Sequence, residues 1–498
     1  MGVPGYLQWI LTRISDTQFH HSAKSSPYDN LYIDMNSIIY YAINKINFKD
    51  RLPNQDLVNE IVIKIDELVK MARPKKIILI AVDGCPPTAK ISQQRSRRYA
   101  YSANYQDSSF DLSNVFPGTE FMINLNKLLE SQLLNKITND EIWSKAKLYY
   151  SDVFCPGEGE HKIVDFIRSI SNDPEYSHSE WSYIYTVDTD VIFLALSIHN
   201  PNYSLIFEPQ NGSQYTVIHI DSIREYIFQQ FEPYCKPDFE RIIDDYVFLS
   251  FLFKNDFFAG FKELEFCTQS KDTIITNYRA ARKALGGFIV NGNDINIELL
   301  KKFIESYLIS NKISESDKID FKCDDEQKIV DETLRVFMWM HQYYKSGCPD
   351  WTFSYQYPKP PPITLFHKLV RDIPSNFDRN IRIPTAVELL LIILPKSRSF
   401  VSKFPEFFPE KYKVIGDTKH QRALLDPIYF KVILDEYSKL GFKDIDLKCN
   451  EIHMLREVSN GEFHEASIPE PKPFEPILNS IFTINKNKSP HSKKKPKK

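Results

Sequence analysis

Two carboxylates, Glu158 and Glu160, alternate with glycines in the loop Cys155-Pro-Gly-Glu-Gly-Glu-His161, with no basic residue between them. Like charges held this close repel unless a cation lies between them, and hard divalent cations take oxygen ligands. A single such pair is often no more than a favourable acid in a first helical turn. What adds weight is recurrence. Asp34 closes the apolar run Leu31-Tyr-Ile, and Asp83 closes Lys76-Ile-Ile-Leu-Ile-Ala-Val. Asp188 and Asp190 follow the run from Trp181 to Val187, and Asp256 follows the apolar stretch from Ile242 to Phe253. Brought to one point, these seven acids suit two divalent ions roughly 3.5–4 Å apart, the spacing used for in-line hydrolysis of a phosphodiester.

The second chemical constellation is Lys90-Ile-Ser-Gln-Gln-Arg-Ser-Arg-Arg98. On a helix, Lys90, Gln94, Arg97 and Arg98 fall on one face, which is then polar and cationic where a core helix would be apolar. Arginine forks match phosphate oxygens bidentately. A solvated basic helix is the ordinary meaning of such a run. Its place a few residues after Asp83 puts the cations beside the acids, so a phosphate-recognising pocket next to a metal site is the sharper reading.

These residues need elements to hold them. Leu31–Asp34, Lys76–Asp83 and Trp181–Val187 read as strands. They alternate with helical patterns over 56–71, over Phe121–Leu134 (N-capped by Thr119) and after the acidic loop at Ile163, Phe166, Ile167 and Ile170. Strand–helix alternation predicts an α/β fold with a central, mostly parallel twisted sheet flanked by helices. Ligands of such sheets bind beyond the carboxyl ends of the strands, where the acids fall. Residues 240–310, Ile329–Tyr344 and 386–447 predict a mainly helical second region; Pro358-Lys-Pro-Pro-Pro362 marks an extended connection.

The 498 residues allow two or three domains, and 42% hydrophobic with 26% charged residues is a globular composition. No apolar run is long enough for a membrane span, so no membrane partner is expected. Seven scattered cysteines without a CxxC pair point to a reducing, intracellular compartment, cytoplasmic or nuclear. From residue 484 onwards there are seven lysines and no acid, so the rest of a chain of net charge −3 carries −10. A nucleic-acid partner must then be held by local basic patches. The tail from Lys486 to Lys498 reads as disordered, either a nuclear-localisation-like patch, a tether to RNA phosphates, or a solubilising end.

The stretches Met1-Gly-Val-Pro, Asp29-Asn-Leu-Tyr-Ile-Asp-Met-Asn36, Val82-Asp-Gly84, Ala89 to Arg98, Pro117-Gly-Thr-Glu-Phe-Met122, Pro156-Gly-Glu-Gly-Glu-His-Lys162, Asp188-Thr-Asp190 and Asn255-Asp-Phe257 occur in this order. With Gln342-Tyr-Tyr, Trp351, Tyr357 and Glu388-Leu-Leu downstream, the chain resembles the Xrn family of 5′→3′ exoribonucleases over most of residues 1–460. The resemblance implies a core like that of PIN and flap nucleases over 1–230, with a helical part over 231–310 completing the active site. A second conserved region over 325–460 would wall a channel, followed by the tail over 470–498. It further implies that Asp34, Asp83, Glu158, Glu160, Asp188, Asp190 and Asp256 bind two Mg²⁺ (or Mn²⁺). By the same resemblance, Lys90, Gln94, Arg97 and Arg98 read a 5′-monophosphate on single-stranded RNA, which is degraded to mononucleotides. The first base would stack between an aromatic pair. Tyr40 stands where the family has histidine, and Trp339 is the expected tryptophan, with Trp351 as the alternative. Ser37 and Lys254 replace family glycines, and the chain reads as a short form without a long C-terminal extension. His161, Asp165 and Asp244 read as structural. Two rivals remain beside this reading: a flap-type, structure-specific DNA nuclease, and an inactive RNA-binding scaffold.

Overall fold

The computed structural model describes residues 3–14, 17–20, 28–103, 110–174, 176–208, 215–231, 238–264, 268–314, 325–357, 359–378, 383–384, 386–393 and 455–473. The lysine tail and the helical pattern expected over 394–447 lie outside the described residues.

The apolar runs that end in acids form the middle of a nine-stranded sheet. Its strands are β1 (Thr17–His20), β2 (Asn30–Asp34), β3 (Ile77–Ala81), β4 (Lys147–Ser151), β5 (Ser182–Thr186), β6 (Tyr203–Phe207) and β7 (Tyr215–His219). A separate two-stranded ribbon is β8 (Val290–Asn291) with β9 (Asp294–Ile295), and the large sheet is completed by β10 (Arg456–Ser459) and β11 (Glu462–Glu465). The order is β1-β7-β6-β5-β2-β3-β4-β10-β11. The five central strands, β6 to β4, run parallel, and the pairs at either edge are antiparallel. Every residue of β2, β5 and β6 is buried. This is why those segments read as continuous apolar runs rather than alternating ones: a parallel sheet is covered on both faces.

Alternate side chains feed two cores. Tyr32, Leu79, Ile184 and Leu205 point into one, which the helices Gly159–Ile170, Val191–Ser197, Phe239–Ser250 and Glu326–Ser346 share. Leu31, Ile33, Ile78, Ile80 and Tyr185 point into the other, against Asn36–Lys45, Gln55–Ala72 and Glu120–Asn139. The mainly helical second region therefore packs directly on the sheet. Among the described residues no helix is long and apolar enough to cross a membrane.

The chain lays down β2, β3 and β4 in one direction, then returns to place β5 on the far side of β2. The strand order reverses between β2 and β5, the point where a crevice opens at the carboxyl edge of such sheets. The expected helix over 240–310 is three helices, interrupted by the turn that carries Asp256 and by β8-β9. The hairpin β10-β11 lies in a stretch expected to be mainly helical. Its turn is Asn460-Gly461, with φ of 52° and 79°, the double positive φ that a two-residue hairpin needs.

One buried ion cluster ties the helices to one another. His199 follows the helix Val191–Ser197, with Nδ1 2.8 Å from Glu240 Oε2 and Nε2 3.0 Å from Asp244 Oδ1, and Arg224 pairs with the same Glu240. Burial opposes charge on His199, but the two carboxylates outweigh it and lift its pKa from 6.5 to about 9. Because the folded value lies above the ordinary one, this stabilisation is complete below about pH 6.5 and is lost as pH rises through 9. Urea unfolding is expected to show a loss of up to about 3 kcal/mol across that window, and the loss should be absent in His199→Gln. A slope unchanged by the substitution would contradict the assignment.

Candidate active site

The ends of β2 and β3 carry the first acids side by side, with β4 beside them. Asp34 is the last residue of β2. The ladder continues past the strands, with Met35 N donating to Ala81 O (2.9 Å) and Val82 N to Ser151 O (2.8 Å). Asp83 is then fixed at both carboxylate oxygens: Gly159 N donates to Oδ1 (2.7 Å) and Asn36 Nδ2 to Oδ2 (2.7 Å). Its own N–H donates back to Asn36 Oδ1 at 3.1 Å. Thr186, at the end of β5, donates from Oγ1 to Asp34 Oδ2 (3.3 Å) and accepts from Asp188 N (3.1 Å).

The Gly-Glu-Gly-Glu loop reaches this edge because two glycines let backbone approach backbone. A Cβ on Gly159 would lie 2.6 Å from Asp34 Oδ1 and 3.2 Å from Ala81 O. A Cβ on Gly84 would strike Cys155 O at 1.7 Å, where Gly84 N donates to Gly157 O (2.8 Å) and Gly157 N to Cys85 O (2.9 Å). Glu158 becomes the N-cap and Glu160 the first turn of the helix Gly159–Ile170.

The result is convergence. Ligand oxygens of Asp34, Asp83 and Glu160 lie within 4.8 Å of one another, as do those of Glu160, Asp188 and Asp190. Glu158, Glu160 and His161 form a third such group. Glu160 belongs to all three. His161, expected to be structural, also stacks on Tyr343 with ring centroids 3.7 Å apart. Asp256 joins the cluster through Lys90, whose Nζ is 2.5 Å from Glu158 Oε1 and 2.6 Å from Asp256 Oδ2.

Packing acids together out of water disfavours their charge. Burial, then the neighbouring carboxylates, push Asp34 and Glu160 well above the usual range. Burial raises Glu158 to about 7 in spite of Lys90 and Asp190 to about 6. Burial also opposes charge on Asp256, but Lys90 and the other positive charges nearby together hold it low. Glu158 Oε2 and Asp190 Oδ1 are buried with no hydrogen-bond partner among the described residues. Oxygen donors that are unsatisfied, crowded and pointed at one another fit one or more divalent cations.

The cationic helix forms as expected. Lys90 ends the turn Thr88–Lys90, and the helix Ile91–Ala103 carries the rest. Lys90, Gln94, Arg97 and Arg98 share one cleft with Tyr40 and with Asp34, Asp83, Glu158, Glu160 and Asp188. Asp190 and Asp256 lie behind that lining. Arg98 Nη1 donates to Gln94 Oε1 (2.7 Å), and its guanidinium lies 5.0 Å over the Phe116 ring. Lys90, by contrast, has its ammonium committed to two acids.

The expected stacking residue Trp339 is also absent from the cleft lining. Trp339 is fully buried; its Nε1 donates to Asp350 O (2.9 Å), and Tyr343, Phe257 and Phe353 pack round its ring. Its helix is buried on all sides from Val336 to Tyr344, so the position belongs to the core. Trp351 is the tryptophan beside the acid loop. Its carbonyl accepts from Thr88 N (2.9 Å), and its half-buried ring approaches Gly157. Sequence reasoning also passed over Asn36, Thr186 and Lys162, polar residues that no periodicity singles out.

The description XRN 5'-3' exonuclease N-terminus matches residues 1–109 and 101–209, and Xrn1 helical domain matches 236–319. The 5'-3' exoribonuclease 1 of Saccharomyces cerevisiae is 29% identical over 360 residues, 65% of this chain and 23% of its own length. The Homo sapiens 5'-3' exoribonuclease 1 is 31% identical over 342 residues, 61% of this chain and 20% of its own. The 5'-3' exoribonuclease 2 of Debaryomyces hansenii is 27% identical over 379 residues, 61% and 38% respectively. The matched part thus spans well under half the length of these relatives. Among solved structures, the catalytic core of Rad2 in complex with DNA substrate aligns with a TM-score of 0.35 and 14% identity over 64% of this chain and 83% of that one, too slight a likeness to bear on substrate.

If crowded charge is what the acids share, removing one should relieve the ion-free protein. Glu160→Gln is expected to stabilise it by about 1–2 kcal/mol in EDTA and to abolish the rise in melting temperature that MnCl₂ gives the parent. Destabilisation in EDTA would contradict this.

Proposed function

Because the chain belongs to the Xrn family of 5′–3′ exonucleases, we propose that it hydrolyses single-stranded RNA from a 5′-monophosphate end, releasing mononucleotides. The observation that carries this is the convergence of seven acids from five separate segments beside a slot walled by Gln94, Arg97 and Arg98. Residues 1–230 are read as the nuclease core, 231–310 as the part that brings in Asp256, and 325–460 as the wall of a channel.

Asp34, Asp83, Glu158, Glu160, Asp188, Asp190 and Asp256 would hold two Mg²⁺ or Mn²⁺ ions. Bound there, the ions supply an activated water and charge stabilisation for the leaving oxygen. The chain's own residues do the rest. Arg97 and Arg98 bind the terminal phosphate as charged forks. Gln94 orients Arg98 while Phe116 supports its plane. Lys90 orients Glu158 and Asp256 and adds positive charge to the lining that the same phosphate would meet. Tyr40, half-buried at the cleft, offers a face for the first base. Trp351, beside the acid loop at Gly157, takes the role that burial denies Trp339. A set of donors matched to one terminal phosphate is expected to select against a cap or a triphosphate by shape and charge.

The test is a time course with Mg²⁺ on end-labelled RNA bearing a 5′-monophosphate, triphosphate or hydroxyl, with a 5′-flap DNA alongside. The monophosphate should disappear first, stepwise from its 5′ end. Preference for the flap would make the protein a structure-specific DNA nuclease, and RNA binding without turnover would make it a scaffold. Asp188→Ala is expected to abolish hydrolysis while leaving RNA affinity within a few-fold. Arg97→Ala should cut the monophosphate-over-hydroxyl preference by about tenfold; equal loss on both ends would remove Arg97 from phosphate recognition.

A further inference from the structure

Lys162 is a buried lysine with an unusual pair of partners. Its Nζ donates to Val82 O (2.5 Å) and Asp152 O (2.7 Å), both main-chain carbonyls. Val82 immediately precedes Asp83, just past the end of β3; Asp152 immediately follows β4 and opens the loop to Glu158. Lys162 itself rides on the helix that begins with Glu158 and Glu160, and its own N–H donates to Glu158 O at 2.9 Å. One ammonium therefore ties the helix that carries Glu158 and Glu160 to the segment that carries Asp83 and to the end of β4. It lies behind them, absent from the cleft lining.

The contrast with Lys90 gives this arrangement its meaning. Lys90 bonds the carboxylates themselves and so competes for their oxygens. Lys162 lends positive charge to the same region through carbonyl contacts, leaving the oxygens of Asp83 and Glu160 directed into the cleft. Burying an ammonium is costly, and an apolar side chain of the same length would fill the space without that cost. It would leave Val82 O without this donor, Asp152 O with Cys155 N alone (3.2 Å), and the strand ends untied.

We propose that Lys162 is a positioning residue for divalent-ion binding, setting Asp83 and Glu160 relative to each other from behind. The inference rests on the reading of the acids as a metal centre. Groups that orient metal ligands from outside commonly matter about tenfold or more for affinity. The experiment is Mn²⁺ titration by isothermal calorimetry on the full chain, for the parent, Lys162→Met and Lys162→Gln. Near-ultraviolet circular dichroism checks the fold, and RNA affinity is measured in EDTA. Lys162→Met is expected to weaken Mn²⁺ binding by about tenfold or more and to raise the Mg²⁺ concentration for half-maximal turnover in step, with RNA affinity in EDTA unchanged. Lys162→Gln, which keeps a donor but not the charge, should fall between. Folded variants that bind Mn²⁺ like the parent would overturn the inference, and so would failure of both to fold, which would assign Lys162 to folding alone. A parent that binds no Mn²⁺ would instead overturn the metal reading itself.

Discussion

Mutual repulsion among buried carboxylates is the constraint on which this structure turns. Asp34, Asp83, Glu158, Glu160, Asp188, Asp190 and Asp256 are carried by five segments, yet the fold holds most of them within ligand reach of one another. Left to themselves such groups separate or take up protons. Here the separation is prevented by backbone: the ladder from β2 through β4 fixes two of them, Asn36 and Gly159 N clamp Asp83, and Thr186 links Asp34 to Asp188. The unfavourable charge is offset in part by Lys90 and Lys162, and the proposed divalent ions would offset the rest.

The architecture follows from that requirement. A parallel sheet delivers strand ends to one edge, and the reversal of strand order between β2 and β5 leaves room there for a crevice. The Gly-Glu-Gly-Glu loop can close on it because glycines stand where any Cβ would meet Asp34 or Cys155. Antiparallel pairs cap both sides, and the second region packs onto one face, bringing Asp256 and Trp351 to the site. Its core position explains why Trp339 contributes packing and Trp351 proximity.

Much of this was legible because function put polar residues where an apolar pattern should have continued. Acids ending β2, β3 and β5 break a buried run in the same way each time, and the face shared by Lys90, Gln94, Arg97 and Arg98 has a helical period that chance seldom gives. What escaped had no such pattern. The fully buried β6 and the partly buried β7 look like any apolar stretch. The hairpin β10-β11 did leave a signal, Asn460-Gly461 between alternating segments, but lay next to helical patterns. Trp339 and Trp351 are indistinguishable by type; only the all-round burial of one helix separates them. Asn36, Thr186 and Lys162 act through hydrogen bonds between distant segments, which a linear reading does not display.

The central claim is that these oxygens surround a pair of cations, and anomalous scattering from crystals grown with Mn²⁺ tests it most directly. The account expects two peaks in the cleft, roughly 3.5–4 Å apart, with Glu160 near both and Asp34, Asp83, Asp188 and Asp190 divided between them. Peaks confined to the surface, or none among these acids at saturating Mn²⁺, would contradict it.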